Sequence, residues 1–222
     1  MTEKSNPVIG VSSCLLGETV RYDGGHKKEN AIVKFITTGN TIISFCPEVS
    51  AQLGTPRPPI ELVASDKHIE ALGRDDSSLN VTTALNKVAS ILVNRLQATN
   101  AIAYIFKARS PSCGVGTTPL FNQENDAIGF TDGVVAAAIL KQLPNLIIVD
   151  ETAVNDAVKC ERFNAACQLA SAYHYGSGIE QSLQYAQIIF PTLNVISSAE
   201  GFDWQIVLNA HLLPLLNDKS QA

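Results

Sequence analysis

Three observations predict an α/β fold with a helical extension at its C-terminal end. Four short apolar runs (Val8 to Ser13, Thr41 to Phe45, Ala101 to Phe106 and Leu146 to Val149) have the length and continuity of strands buried on both faces. Segments of helical period separate them, and strands alternating with helices build a mostly parallel sheet covered by helices, the Rossmann-like arrangement. After Glu151 the alternation stops and only helical patterns follow. Residues 1–152 therefore read as an α/β domain and residues 153–222 as a helical extension.

Composition narrows the class. A chain of 222 residues, 45% apolar and 17% charged, can bury one sizeable core plus a smaller addition. Its formal net charge of -5 argues against broad contact with a nucleic-acid polymer, though not against a single base or nucleotide. Met1 to Pro7 is short and polar, and no apolar run has the length to span a bilayer, so no membrane partner is expected. The expectation is a cytoplasmic protein, where cysteines stay reduced and serve as ligands or catalysts. Five cysteines, an odd number, also suit a disulfide framework poorly.

In chain order, the strand Val8 to Ser13 turns at Cys14-Leu15-Leu16-Gly17 into a polar, glycine-rich loop carrying Arg21. Arg21 reads either as an anion or carbonyl clamp or as an ordinary surface arginine. Asn30 to Thr37 has helical spacing, with a stop at Gly39-Asn40. Thr41 to Phe45 is the second strand. It runs into Cys46-Pro47-Glu48-Val49 at the head of a long loop, where three prolines stiffen the surroundings of Arg57. That loop suits a substrate-facing wall or an extended edge segment.

Leu62 to Leu72 is ambiguous, and His68 within it reads as a surface residue. Ser77 or Ser78 is positioned to cap a helix through about Thr99, with Val81, Leu85, Val88, Leu92 and Leu96 on its core face. Ala101 to Phe106 then delivers the turn Lys107 to Gly116, which contains Ser110 and Cys113. Thr117 to Phe130 reads as an irregular excursion or small hairpin. Asp132-Gly133 starts an alanine-rich helix, and Leu146 to Val149 is the last strand. In the extension, helices are expected over Asp156 to Tyr175, Ile179 to Ile189 and about Asp203 to Leu216. Ala166 to Ala186 weakly resembles a single Sel1-type helical repeat.

The chemistry lies at the strand ends. Three apolar runs lead into Cys14, Cys46 and Cys113, and open α/β sheets place ligands at the carboxyl ends of their strands. Thiolate sulfur suits zinc or iron–sulfur clusters, and three ligands leave a fourth position for substrate. Spacing alone leaves two readings, three unrelated buried thiols or one metal centre. Turn residues beside each cysteine, with Glu48 next to Cys46 and Ser110 near Cys113, favour the second. Cys160 and Cys167, at helical spacing in the extension, read as small buried apolar residues.

Ser13-Cys14-Leu15-Leu16-Gly17, Arg21-Tyr22-Asp23-Gly24, Cys46-Pro47-Glu48-Val49, Thr55-Pro56-Arg57-Pro58, Lys107 with Ser110-Pro111-Ser112-Cys113-Gly114, and Gly133-Val134 resemble the thiouracil desulfidase family. The resemblance covers about residues 5 to 152. It implies a [4Fe-4S] cluster held by Cys14, Cys46 and Cys113, with the fourth iron open to the sulfur of a thiolated pyrimidine. It implies Glu48 as catalytic acid or base and Ser110 as catalytic hydroxyl, with Arg21, Arg57 and Lys107 as secondary groups for substrate binding. Two departures stand out: Ser50-Ala51-Gln52 where the family often has two glycines, and Val135 where it has threonine.

The implied activity is a hydrolytic C–S cleavage, thiouracil to uracil plus hydrosulfide, with a small thiolated base as substrate. Two other classes compete with it. One is a non-catalytic metal-binding or sulfur-carrier module, and the other is a small-molecule sensor whose extension transmits binding. The extension itself is left with enlarging the pocket, supporting a homodimer, or neither.

Overall fold

The computed structural model describes residues 7–36, 40–65, 68–176, 178–190, 193 and 204–216. Its central sheet has four parallel strands in the order β2-β1-β5-β8: β1 (Val8–Ser12), β2 (Thr41–Phe45), β5 (Ala103–Phe106) and β8 (Ile147–Asp150). β5 and β8 are buried at every position, which explains their unbroken apolar character. Because all four run the same way, Ser12, Phe45, Phe106 and Asp150 end at one edge, and the turns after these residues meet there.

Side chains alternate between the two faces of this sheet. Gly10, Ser12, Tyr104, Phe106 and Ile148 share one face. Ile43, Phe45, Tyr104, Phe106 and Ile148 form a core there with α3 (Thr82–Ala98) and α4 (Val134–Gln142). The expected core face of α3, Val81 through Leu96, is buried throughout. Ile9, Val11, Ala103, Ile105, Ile147 and Val149 face the other way. They share a core with Ile32 of α1 (Asn30–Ile36), with α5 (Ala157–Tyr175) and α6 (Ile179–Ile189), and with the C-terminal helical stretch. That stretch runs from α7 (Trp204–Val207) through a π-turn (Leu208–Leu212) into α8 (Leu213–Leu216).

The expected α/β class and the helical C-terminal region are both observed. The extension is built into the sandwich, because its helices bury one face of the sheet. Asp156 caps α5 by accepting from Lys159 N, and Gly176 ends it in the left-handed region at φ 63°. The expected Gly39 stop, Ser177 of the interhelical turn and the Asp203 start lie outside the described residues.

The structure settles the open local readings and corrects others. Leu62 to Leu72 falls within an antiparallel pair, β3 (Ile60–Ala64) with β4 (Ile69–Gly73). His68 is exposed and lies 3.4 Å from Glu70. The 117–130 excursion is a hairpin, β6 (Thr118–Phe121) with β7 (Ala127–Thr131), and β6 pairs parallel with β3. The result is a second four-stranded sheet, β4-β3-β6-β7, which the sequence pattern did not reveal. Helix α3 starts at Thr82 and not at Ser77 or Ser78. Ser78 is bound to Asp76, Val81 N reaches Ala71 O, and Asn80 Oδ1 accepts from Thr82 N. Pro47–Ser50 is a single helical turn, α2, where loop was expected, with Pro47 at its start and Cys46 as its N-cap.

Candidate functional site

The four turns at the strand-end edge line a cavity of about 710 Å³. Cys14, Arg21, Cys46, Glu48, Arg57, Lys107, Ser110 and Cys113 all line it, so every site residue expected from the sequence comes together. Cys14 sits in a 3₁₀ turn, Ser13–Leu16, that Gly17 closes at φ 95°. Its carbonyl accepts from Lys27 N at 2.9 Å, which ties this turn to the following loop. Cys46 is presented by the β2–α2 junction. Cys113 belongs to the turn after β5, which docks on the first residues of α4. Val134 N donates to Pro111 O and Val135 N to Ser112 O, at 2.9 and 3.0 Å.

Gly133 allows that docking. A Cβ there would lie 2.6 Å from Ser112 C and 2.7 Å from Cys113 N, too close for any side chain.

All five cysteines are free thiols. Burial pushes the Cys14 thiol up to about 11, and Cys46 adds to the shift. Burial also raises Cys46, and it raises Cys113 well above the usual thiol range, with Cys46, Cys14 and Glu48 contributing. Cys46 thus opposes the ionisation of Cys14, and both oppose that of Cys113, a cost that a bound cation removes. Among the described residues, no three His, Cys, Asp or Glu side chains are grouped as ligands of a single metal ion. A polynuclear cluster makes a different demand, one thiolate for each iron it holds through the protein. Three convergent soft donors around one cavity meet that demand.

Glu48 is fixed at both carboxylate oxygens. Arg57 Nε donates to Oε2 at 2.7 Å and Ser112 Oγ donates to Oε1 at 2.8 Å. Arg57 is itself committed: its Nη1 donates to Val20 O, Gly54 O and Thr55 Oγ1, and its side chain is only 4% exposed. Lys107 Nζ donates to Ala108 O and to Glu151 Oε1, while Glu151 Oε2 accepts from Ala108 N. Ser110 Oγ accepts from Ser112 N and Cys113 N, at 3.3 and 3.2 Å. Arg21 is paired with Asp23 at 3.4 Å and leans over the Tyr22 ring.

Sequence reasoning missed Ser112 and Glu151. Ser112 is fully buried and its link to Glu48 exists only in three dimensions. Glu151 was within reach, because it follows a strand end as the cysteines do. The cavity wall also includes Lys159 of α5, so the extension contributes a cation to it.

Comparison with known proteins places the chain. A model of the family described as 2-thiouracil desulfurase matches residues 9–151. The chain belongs to that family. The uncharacterized protein YbbK of Bacillus subtilis (strain 168) is 32% identical over 158 residues, spanning 67% of this chain and 99% of YbbK. A solved structure of the [4Fe-4S]-dependent thiouracil desulfidase TudS is 28% identical, with a TM-score of 0.54, over 67% of this chain and 93% of TudS. The desulfurase match ends at the turn after β8, so α5 onward lies outside it, and the Sel1-like pattern remains a likeness of sequence alone. No helix among the described residues is long and apolar enough to cross a membrane.

Proposed function

We propose that this protein removes sulfur from a thiolated pyrimidine, converting thiouracil to uracil and hydrosulfide. In this reading Cys14, Cys46 and Cys113 hold a [4Fe-4S] cluster. The observation that carries it is the enclosure of three strand-end thiols and a doubly anchored Glu48 in one cavity of a desulfurase-family chain. When bound, the cluster supplies a thiophilic Lewis acid with one iron free of protein ligands.

The protein residues supply the rest. Glu48 accepts a proton from the water that attacks the thiocarbonyl carbon, and its two anchors fix where that proton goes. We assign Arg57 to positioning, because its Nε and Nη1 donors serve Glu48 and the loop carbonyls. Ser110 Oγ has both acceptor sites occupied by backbone N–H groups, which leaves its O–H to donate into the cavity. Its place is against a ring nitrogen or carbonyl of the pyrimidine. Lys107 has one ammonium hydrogen beyond those given to Ala108 and Glu151, and Arg21 lines the same cavity. Both suit a substrate oxygen that gains negative charge. Water contributes the oxygen and sulfur leaves as hydrosulfide, so electrons balance without a redox partner. The activity belongs in the cytoplasm, where five free cysteines remain reduced.

The test is anaerobic incubation of cluster-loaded protein with thiolated bases and nucleosides, measuring hydrosulfide and the oxygenated product together. The expected result is equal release of both by the wild type and a loss of roughly 10²- to 10⁴-fold in Glu48→Gln. Equal rates in the two proteins would overturn the role of Glu48.

A further inference from the structure

The turn after β5 holds Arg109 in the left-handed region, at φ 59°. For a long side chain that conformation is costly, and it persists only where the surroundings impose it. Here they do. Three successive backbone N–H groups are each accepted by a side-chain oxygen of another segment. Lys107 N donates to Ser12 Oγ at 3.1 Å, Ala108 N to Glu151 Oε2 at 2.6 Å and Arg109 N to Thr117 Oγ1 at 2.9 Å. The turn is thus fixed at the strand-end edge, and Arg109 and Thr117 both line the cavity.

The guanidinium is uncommitted. Four arginines line the cavity, and three of them are matched to carboxylates: Arg21 to Asp23 at 3.4 Å, Arg57 to Glu48 at 2.7 Å and Arg74 to Glu61 at 3.5 Å. Lys107 is likewise held by Glu151. Arg109 is exposed, and among the described residues its side chain has neither an ion pair nor a hydrogen bond. Glycine would meet the demands of the backbone there without strain. What arginine adds is a planar fork of donors at the wall of a cavity that substrate must enter.

We propose that Arg109 binds the oxygen that a thiolated pyrimidine retains on its ring, and so selects bases that carry a carbonyl as well as a thiocarbonyl. The proposal rests on the desulfidase reading above. Two guanidinium N–H groups can serve the two lone pairs of one carbonyl oxygen, and no neighbouring carboxylate competes for them. Ser110, the next residue, then serves the adjacent ring nitrogen, so one short turn presents both groups to the base.

The test compares 4-thiouracil with pyrimidine-4-thione, which keeps the thiocarbonyl and lacks the ring oxygen. In cluster-loaded protein, Arg109→Met should lower kcat/KM for 4-thiouracil roughly 10- to 100-fold, the worth of one hydrogen bond to a charged group. The loss should fall mainly on KM, and the rate with pyrimidine-4-thione should stay at the wild-type value. Arg109→Lys should recover part of the 4-thiouracil rate, because it keeps the charge without the fork. Two further measurements need no turnover. Uracil binding by equilibrium dialysis should weaken about tenfold in Arg109→Met. Arg109→Gly should melt no lower than the wild type, because glycine relieves the left-handed backbone.

Equal proportional losses with both substrates, or unchanged uracil binding in Arg109→Met, would overturn the proposal. A lower melting temperature in Arg109→Gly would also overturn it, by showing that the side chain serves the fold. Failure of the wild type to release hydrosulfide from 4-thiouracil is a separate result. It overturns the desulfidase reading, and the uracil-binding comparison still decides the role of Arg109.

Discussion

Ser112 Oγ donates a 2.8 Å hydrogen bond to Glu48 Oε1, joining the turn after β5 to the turn after β2. Ser112 is fully buried and sits beside Cys113, while Glu48 lies two residues from Cys46. One bond thus links the proposed base to two of the proposed cluster ligands. Ser112→Ala should cost about 1 kcal/mol of Glu48 positioning, roughly a fivefold loss in kcat, with little change in KM. Steady-state hydrosulfide release checks this. Ser110→Ala should instead raise KM, because its free O–H faces substrate.

Arg57 anchors the opposite carboxylate oxygen and three loop acceptors. Arg57→Met leaves Glu48 with an uncompensated, largely buried charge, so a stability loss of about 3–5 kcal/mol is expected in chemical denaturation. Arg57→Lys should recover part of it, since an ammonium can meet Glu48 but cannot span the same fork of acceptors.

At Gly133 the prediction is steric. Gly133→Ala forces a methyl group against Ser112 C and Cys113 N, both backbone atoms that cannot turn aside. The turn carrying Cys113 must shift, so cluster uptake should fall together with thermal stability. Retention of normal iron content in this variant would mean that the Cys113 turn tolerates displacement.

The extension yields a prediction about solubility. Phe163, Leu169, Phe190 and Leu208 are fully buried in the core that covers Ile9, Val11, Ile105 and Val149. Each large side chain contributes about 1.5–3 kcal/mol by burial. A chain ending at Thr152 should therefore expose one face of the central sheet and aggregate on expression. A monomeric, cooperatively folding fragment would show instead that residues 1–152 stand alone.

The sequence made the central sheet and the cysteine convergence legible for one reason. Strands buried on both faces leave unbroken apolar runs, and parallel strands deliver their C-terminal turns to a single edge. The second sheet was hidden because its strands are short and mixed. Glu61 and Glu70 interrupt β3 and β4, and Pro119 and Gly129 interrupt β6 and β7. The Arg57–Glu48–Ser112 chain was hidden as well. Its members looked like a loop arginine, a loop acid and a turn serine until the fold joined them.

The central claim is that Cys14, Cys46 and Cys113 hold one cluster and that Cys160 and Cys167 take no part. Cys160 Sγ donates to Val154 O and Cys167 is buried in the extension, so both have structural explanations. The direct measurement is iron and acid-labile sulfide per chain after anaerobic reconstitution of five single Cys→Ser variants. The expected result is the [4Fe-4S] ratio in the wild type and in Cys160→Ser and Cys167→Ser, with severe loss in Cys14→Ser, Cys46→Ser and Cys113→Ser. Full iron content in any of those last three, or none in the wild type, would contradict the account.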